Sequence, residues 1–128
     1  MRVLLDTHAF LWWISGSPKL SEAARETIAD ERNDLLFSVV SGWEISIKAG
    51  VGKLDLPETP RDFVTGQVLL NDLRVLTVSL DHALRVYDLP NHHRDPFDRL
   101  IVAQALSEGV PVLTADPLVA RYSVETIW

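Results

Sequence analysis

Apolar residues along the chain fall into short continuous runs that alternate with spaced, helix-like patterns. A run of roughly four to eight apolar residues predicts a buried strand, and apolar residues spaced by three or four positions predict an amphipathic helix. The predicted strands are RVLLD (2–6), LLFSVV (35–40), LRVLTV (73–78), VPVLTAD (110–116) and VETIW (124–128). The predicted helical segments are LSEAARETIADE (20–31), SGWEISIKAGVG (41–52), FVTGQVLLN (63–71), LDHALRVYDL (80–89), DPFDRLIVAQALSEG (95–109) and PLVARY (117–122).

This alternation predicts an α/β fold with a central, mostly parallel sheet and helices on both faces, because parallel neighbours are joined by helical crossovers. With 128 residues the chain is long enough for one core and short for two, so we expect a single domain over residues 1–128. The segment 53–62 contains Pro57 and Pro60. We expect it to be a loop rather than a domain boundary, since a periodic pattern resumes directly after it.

Composition narrows the chemistry. The chain has no cysteine, so a metal would be held by carboxylate, imidazole or water, which favours hard cations. Its net charge of −6 argues against a general basic nucleic-acid binder, although four carboxylates around two divalent cations would change this to −6 + 4 = −2. No apolar run approaches the roughly 18 residues of a membrane helix, and Asp6 interrupts the apolar N-terminus early. We therefore expect a cytosolic protein with no membrane partner.

Four acidic residues lie where an α/β fold binds its ligands. Asp6 ends the first predicted strand and Asp116 ends a late one, while Glu44 and Asp98 lie in the first turns of two predicted helices. Ligands of open α/β sheets bind beyond the carboxyl ends of the strands. These four side chains are therefore expected to share one crevice.

Local roles would also explain several of these acids. Ser41 and Glu44 fit the S-x-x-E capping box, in which the glutamate only satisfies a backbone donor. Asp116 and Asp95 each precede a proline, which is typical of a helix N-cap. We interpret Asp95 as such a cap. Asp98 then falls at the third helical position, where the helix dipole favours a negative charge by about 0.3–1 kcal/mol.

Asp6 has the weakest local explanation, because a carboxylate that closes a buried strand has no expected capping role and needs a partner. Two carboxylates about 4 Å apart repel by roughly 4 kcal/mol at an effective dielectric constant of 20, a large part of a domain's ~5–15 kcal/mol of stability. A cluster of acids must therefore be partly protonated or bridged by cations, and oxygen ligands suit Mg²⁺ or Mn²⁺. Two such ions can promote an in-line displacement at phosphorus, so we expect phosphodiester hydrolysis.

The motifs LLDTHAFLWW, SGWEISIKAGVGKLDL, HHRDPFDRLIVAQA and VLTADP occur in this order along almost the whole chain. In them the chain resembles the PIN-domain ribonucleases, and more narrowly the VapC-type toxins of bacterial toxin–antitoxin pairs. The resemblance implies the PIN fold and an acidic site that requires Mg²⁺ or Mn²⁺. It places the four acids of the family at Asp6, Glu44, Asp98 and Asp116. Asp98 matches better than Asp95 because it directly begins the apolar helical run, and Asp95 remains a possible helper.

Several other polar residues near the acids are candidates for a role in the site. Thr114 is a candidate donor to a neighbouring acid. Arg99 either contacts an RNA phosphate or a neighbouring acid, or is simply solvated near a helix start. His92 and His93 are interpreted as loop residues rather than metal ligands, since adjacent residues rarely point at one ion. Lys48 either lines an RNA groove or only adds solubility.

The resemblance implies the toxin of a type II toxin–antitoxin pair that hydrolyses RNA, binds a cognate antitoxin and commonly forms a homodimer. The alternative is a non-catalytic PIN-like module that only binds RNA or protein. Such modules tend to lose acids, whereas this chain retains all four. A phosphatase of the haloacid dehalogenase type is disfavoured, because it would need an aspartate where His8 stands.

Overall fold

A computed structural model describes residues 1–128 and contains one sheet of five strands, each parallel to its neighbours. The strand order is β3-β2-β1-β4-β5, so the first strand lies in the middle. The strands are β1 Arg2–Leu5, β2 Asp34–Ser38, β3 Arg74–Leu76, β4 Val112–Leu113 and β5 Thr126–Ile127. The parallel sheet confirms the predicted α/β class.

Six α-helices connect these strands. They are α1 Thr7–Ser15, α2 Glu22–Ala29, α3 Val39–Gly50, α4 Pro60–Leu70, α5 Leu80–Arg85 and α6 Pro96–Glu108. Two single 3₁₀ turns are also present, one at Val86–Asp88 between α5 and α6 and one at Val119–Arg121 between β4 and β5. None of the helices combines the length and the apolar character that a bilayer crossing would need.

Hydrophobic packing covers both faces of the sheet, as predicted. Alternate residues of β1 point to opposite faces. Val3 and Leu5 join a cluster that includes Phe10 of α1, whereas Leu4 packs in a second cluster with Ile101 and Ala105 of α6. Both α6 residues are almost fully buried. This packing confirms that α6 buries an apolar stripe against the sheet.

Helix α1 was not predicted. Its sequence, THAFLWWIS, is apolar on most sides, which hides the helical period that a half-exposed helix would show. Asp6 is its N-cap and accepts a hydrogen bond from the backbone N–H of Ala9 at 2.6 Å. The expectation that Asp6 has no capping role was therefore wrong. The helix ends at Gly16, whose φ of 68° is the left-handed conformation that glycine adopts most easily.

The boundary between β2 and α3 also differs from the prediction. The strand ends at Ser38, whose hydroxyl accepts from the backbone N–H of Val40 and caps α3. The β-branched residues at 39 and 40 look like a continuation of the strand, but they form the first turn of the helix. Glu44 therefore lies in the second turn, and the predicted capping box with Ser41 was wrong. Similarly, PLVARY (117–122) forms only a 3₁₀ turn instead of a short helix.

Candidate active site

The parallel strands bring the predicted acids to one edge of the sheet. Asp6 directly follows β1, and Asp116 lies just beyond β4, which pairs with β1. Glu44 is on α3, and Asp98 is at the third position of α6, after Asp95 and Pro96. The charges of Glu44 and Asp116 both act on Asp98, and the charge of Asp116 acts on Asp6. The four acids therefore lie around one crevice at this edge of the sheet, but only Asp98 and Asp116, together with His93, bring candidate ligand atoms within 4.8 Å of one another.

Asp6 is held from two sides. Beyond its bond from Ala9, its second oxygen accepts a hydrogen bond from the Thr114 hydroxyl, and only 7% of the residue is exposed. Burial raises the pKa of Asp6, and the hydrogen bonds from Thr114 and Ala9 oppose that rise. The Thr114 hydroxyl also accepts from the backbone N–H of Asp116 at 3.1 Å. Thr114 thus ties together the two acids that follow neighbouring strands.

Both oxygens of Asp116 are hydrogen-bonded. Oδ1 accepts from the backbone N–H of Leu118 at 2.8 Å, and Oδ2 lies 2.8 Å from Nε2 of His93. The same His93 nitrogen is 4.0 Å from an Asp98 oxygen. One candidate ligand atom from each of these three residues lies within 4.8 Å of the other two. His93 therefore belongs to the site, and its interpretation as a loop residue alone was incomplete.

Glu44 is the most enclosed of the four acids, with 1% exposure. Its Oε2 pairs with the ammonium group of Lys48 at 2.5 Å, one helical turn further on. Its Oε1 is the one buried side-chain polar atom in the structure without a hydrogen-bond partner. A buried carboxylate oxygen without a partner is costly, so this atom calls for a cation or a proton donor.

Asp98 has a strongly perturbed carboxyl group. Burial raises its pKa to about 7, and the negative charges of Asp95 and Glu44 add to the effect. His93 opposes it. No side-chain hydrogen bond stabilises the Asp98 carboxylate, so the ionised form depends on a positive charge arriving nearby.

Two of the proposed helpers have structural duties. Asp95 caps α6 by accepting from the backbone N–H of Phe97 at 2.8 Å, which confirms its interpretation as an N-cap. Arg99 donates to the backbone carbonyls of Val86, Leu89 and Pro90 and to the Tyr122 hydroxyl. The guanidinium group of Arg99 therefore holds the segment before α6, and contact with a neighbouring acid, one of the alternatives considered for it, is not among its hydrogen bonds.

The donor set fits a hard divalent cation. It consists of carboxylate oxygens, one of which has no partner, together with an Asp98 carboxyl group that is costly to ionise alone. Mg²⁺ and Mn²⁺ prefer such oxygen ligands. A cation next to Glu44 Oε1 would satisfy that oxygen, and a cation next to Asp98 would offset the repulsion there.

Two cavities open beside the acids. One of about 300 Å³ is lined by Asp6, Asp116, Ala115, His8 and Trp12. The other, a groove of about 680 Å³, shares His8 and Trp12 with the first. Two lysines, Lys48 and Lys53, lie on its wall, and the rest is largely apolar. The apolar residues include Leu11, Ile14, Ile45, Leu54, Leu56 and Phe63. We call it the α1–α3 groove. A bound chain could therefore run along this groove and reach the acids.

Sequence reasoning missed His93 and the ion pair of Glu44. The ion pair was predictable from the sequence, since a glutamate four residues before a lysine favours contact between the two side chains on a helix. The sequence contains no indication of the role of His93, because its partners Asp116 and Tyr122 lie 23 and 29 residues further along the chain.

Comparison with known proteins agrees with this architecture. The PIN domain family model matches residues 3–125. Ribonuclease VapC22 of Mycobacterium tuberculosis is 30% identical over 115 residues, covering 89% of this chain and 86% of that protein. The structure of VapBC2 from Rickettsia felis bound to a promoter DNA fragment matches with a TM-score of 0.70 and 16% identity, covering 100% of both chains. VapBC-1 from nontypeable Haemophilus influenzae matches with a TM-score of 0.66 and 18% identity, covering 98% of this chain and 96% of that one.

The two solved structures are too distant in sequence to support more than the fold. The family model, in contrast, covers nearly all of the chain, and the similarity to VapC22 spans most of both proteins. On this evidence, the chain belongs to the PIN domain family, in its VapC ribonuclease group.

Proposed function

We propose that this protein is a divalent-metal-dependent endoribonuclease that acts as the toxin of a type II toxin–antitoxin pair, working as one PIN domain in the cytosol. The observation that carries the proposal is the crevice in which four acids meet, one with an unpartnered buried oxygen and one with a pKa of about 7. An arrangement that costs stability when empty is typical of a site built for a ligand.

Asp6, Asp98, Asp116 and Glu44 would hold Mg²⁺ or Mn²⁺. When bound, such ions activate water and neutralise the charge that develops as a phosphodiester bond breaks. Hydrogen bonds from Ala9 and Thr114 fix the oxygens of Asp6, while Glu44 and Asp98 provide the charge that is least compensated by the protein. Lys48 neutralises part of this charge and lies on the wall of the α1–α3 groove, where it can contact a substrate phosphate.

RNA is the proposed substrate, since VapC22 is named a ribonuclease and the chain carries an acid at each of the four positions that the family resemblance implies. The flanking groove fits a polymer better than a small molecule, because its lining follows α1 and α3 and shares His8 and Trp12 with the cavity beside Asp6 and Asp116. His8, Lys48 and Lys53 line it and provide donors for the backbone of a single strand.

The proposed partner is an antitoxin encoded with this protein, as the similar solved structures are VapBC complexes. An antitoxin segment would place apolar residues in the α1–α3 groove and a basic side chain near the acids, which complements their charge. A homodimer is also proposed. Large apolar side chains remain exposed on α4 and around α5, including Leu69 at 82% and Tyr87 at 92%.

The test is cleavage of total RNA by the purified protein with Mn²⁺, with Mg²⁺ and with a chelator, followed by sequencing of the new RNA ends. We expect discrete ends that require the metal and disappear in Asp6→Asn. Asp34→Asn is the control, since this residue begins β2 and its side chain is half exposed. RNA binding without metal-dependent ends would favour the non-catalytic module, and full activity of Asp6→Asn would contradict the assigned site.

A further inference from the structure

The segment before α6 places a histidine in the crevice by contacts that the four-acid site does not explain. The His93 ring stacks on the Tyr122 ring, with 5.5 Å between centroids and 6° between planes. Only 4% of the His93 side chain is exposed. From this position its Nε2 reaches Oδ2 of Asp116 at 2.8 Å.

The hydrogen bonds of Tyr122 decide which nitrogen of His93 carries the hydrogen. The Tyr122 hydroxyl accepts from the backbone N–H of His93 at 3.2 Å and from the Arg99 guanidinium at 3.4 Å. A hydroxyl has two acceptor lone pairs and one hydrogen, so both acceptor positions are used and the hydrogen remains to be donated. The neighbour left for it is Nδ1 of His93, at 3.1 Å.

If Nδ1 accepts, the hydrogen of a neutral imidazole is on Nε2, and Nε2 donates to Asp116. An Nε2 that carries hydrogen has no free lone pair for a metal. Of the three grouped residues, Asp98 and Asp116 would therefore bind a cation through their carboxylate oxygens. His93 would not contact the cation and would instead donate a hydrogen bond to Asp116.

We infer that His93 is a positioning residue, whose Nε2–H, fixed by the Tyr122 hydroxyl, orients the Asp116 carboxylate for metal binding. The inference rests on the role proposed above for Asp116 as a metal ligand. Oδ1 of Asp116 is already held by Leu118, so the His93 bond fixes the second oxygen and removes the remaining rotation of the group. Partners of this kind typically change metal affinity by about 10–100-fold when they are removed.

The first experiment reads the tautomer directly. In protein with ¹⁵N-labelled histidine, long-range ¹H–¹⁵N spectra should show an Nε2–H imidazole that is absent from His93→Gln and is thereby assigned. Addition of Mg²⁺ should leave this hydrogen in place. In Tyr122→Phe, which keeps the stacked ring but lacks the hydroxyl, the signal should change to a mixture of tautomers. An Nδ1–H tautomer in the wild type, or loss of the Nε2 hydrogen on adding Mg²⁺, would overturn the inference.

The second experiment measures Mn²⁺ binding by calorimetry. His93→Ala should weaken binding by about 10–100-fold. His93→Gln, whose amide N–H can replace Nε2–H, should recover most of it. His92→Ala is the matched control, because its ring also contacts Tyr122 without a hydrogen bond, and it should bind Mn²⁺ as the wild type does. In cleavage assays the Mn²⁺ concentration for half-maximal rate should rise in His93→Ala while the KM for RNA stays unchanged.

Asp116→Asn separates failure of this inference from failure of the proposed site. If Asp116→Asn binds Mn²⁺ normally, the proposed metal site is wrong, and with it the role of His93. If Asp116→Asn loses binding while His93→Ala does not, the site stands and the positioning role of His93 is refuted.

Discussion

The two sides of the acidic crevice differ in how the protein satisfies their carboxylates. On the strand side, which consists of Asp6, Thr114 and Asp116, every carboxylate oxygen accepts a hydrogen bond. On the helix side, which consists of Glu44 and Asp98, one oxygen of Glu44 is buried without a partner, and the Asp98 carboxyl group, whose pKa is raised to about 7, has no hydrogen bond that favours its ionised form. The sides lie at the same edge of one sheet and have similar burial, so burial alone does not explain the contrast.

The difference indicates a division of labour. Hydrogen bonds fix the strand side before any ligand arrives, whereas the protein compensates the charge of the helix side only in part, through the ion pair of Glu44 with Lys48. A site with both sides fully satisfied would have little affinity for a metal, and one with neither would be too costly to fold. The following changes test this contrast, from the largest expected effect to the smallest.

Replacing Asp98 with asparagine should have the largest effect, because it removes one of the two carboxylates of the helix side and keeps the shape of the side chain. We expect RNA cleavage to fall by at least about a hundredfold, the upper end of the loss for residues that only support a metal ligand. Asp62→Asn is a matched control, since Asp62 is also at the third position of its helix after a cap and a proline, but is exposed. Equal losses in both variants would mean that Asp98 only serves the helix dipole.

The stability of the metal-free protein should depend on pH through Asp98. Below pH 3.8, the ordinary pKa of an aspartate, the Asp98 carboxyl group is protonated in both the folded and the unfolded state. Between 3.8 and about 7 only the folded state keeps the proton, so the free energy of unfolding falls as pH rises, and above about 7 the loss is complete. At about 1.4 kcal/mol per pH unit, this is on the order of 4 kcal/mol.

Urea unfolding of the wild type and of Asp98→Asn at several pH values measures this contribution. We expect the stability of Asp98→Asn relative to the wild type to increase from pH 4 to pH 8, and saturating Mn²⁺ to stabilise the wild type more than the variant at pH 8. A difference that does not change with pH would show that the Asp98 carboxyl group is not perturbed.

On the strand side, Thr114→Val should weaken the site by removing the hydroxyl that joins Asp6 to the backbone of Asp116. The loss of a hydrogen bond to a buried carboxylate should lower the free energy of unfolding by about 1–3 kcal/mol. Thr27→Val is the control, because that hydroxyl bonds only to an exposed carbonyl of its own helix. Unchanged stability and Mn²⁺ affinity in Thr114→Val would remove the evidence for a strand side fixed by hydrogen bonds.

Lys48→Gln should give the smallest effect, and unlike the other substitutions it should strengthen Mn²⁺ binding rather than weaken the site. Lys48 competes with a cation for Glu44, so its removal should tighten Mn²⁺ binding by about fivefold, equivalent to about 1 kcal/mol, because the Lys48 side chain is partly exposed and solvent screens its charge. Lys53→Gln, which lines the same groove, should leave the affinity unchanged. Weaker Mn²⁺ binding in Lys48→Gln would mean that the ion pair orients Glu44 for the metal.

The strand side was easier to predict from sequence than the helix side. Asp6 and Asp116 follow apolar runs that can only be strands, and parallel topology then brings them together. The start of α3 was harder, because Val39 and Val40 favour a strand locally and only the Ser38 cap and packing in the core make them helical. The capping role of Asp6 was also not predictable, because helix α1 is apolar on most sides and shows no helical period in the sequence.

The unpartnered oxygen of Glu44 and the raised pKa of Asp98 could not be read from sequence at all. They depend on distances between elements that are far apart in the chain. The four acids were therefore predictable as a set, while the electrostatic contrast between them required coordinates.

The central place of β1 in the sheet has a consequence for how the enzyme is made. Asp6 follows this first strand, yet the hydroxyl that holds it is Thr114, 108 positions later. Such long-range pairing is formed late and slowly in folding. A partly translated chain that lacks Thr114 and Asp116 cannot complete the crevice, so a ribosome that makes this nuclease is not exposed to its activity until that segment has emerged.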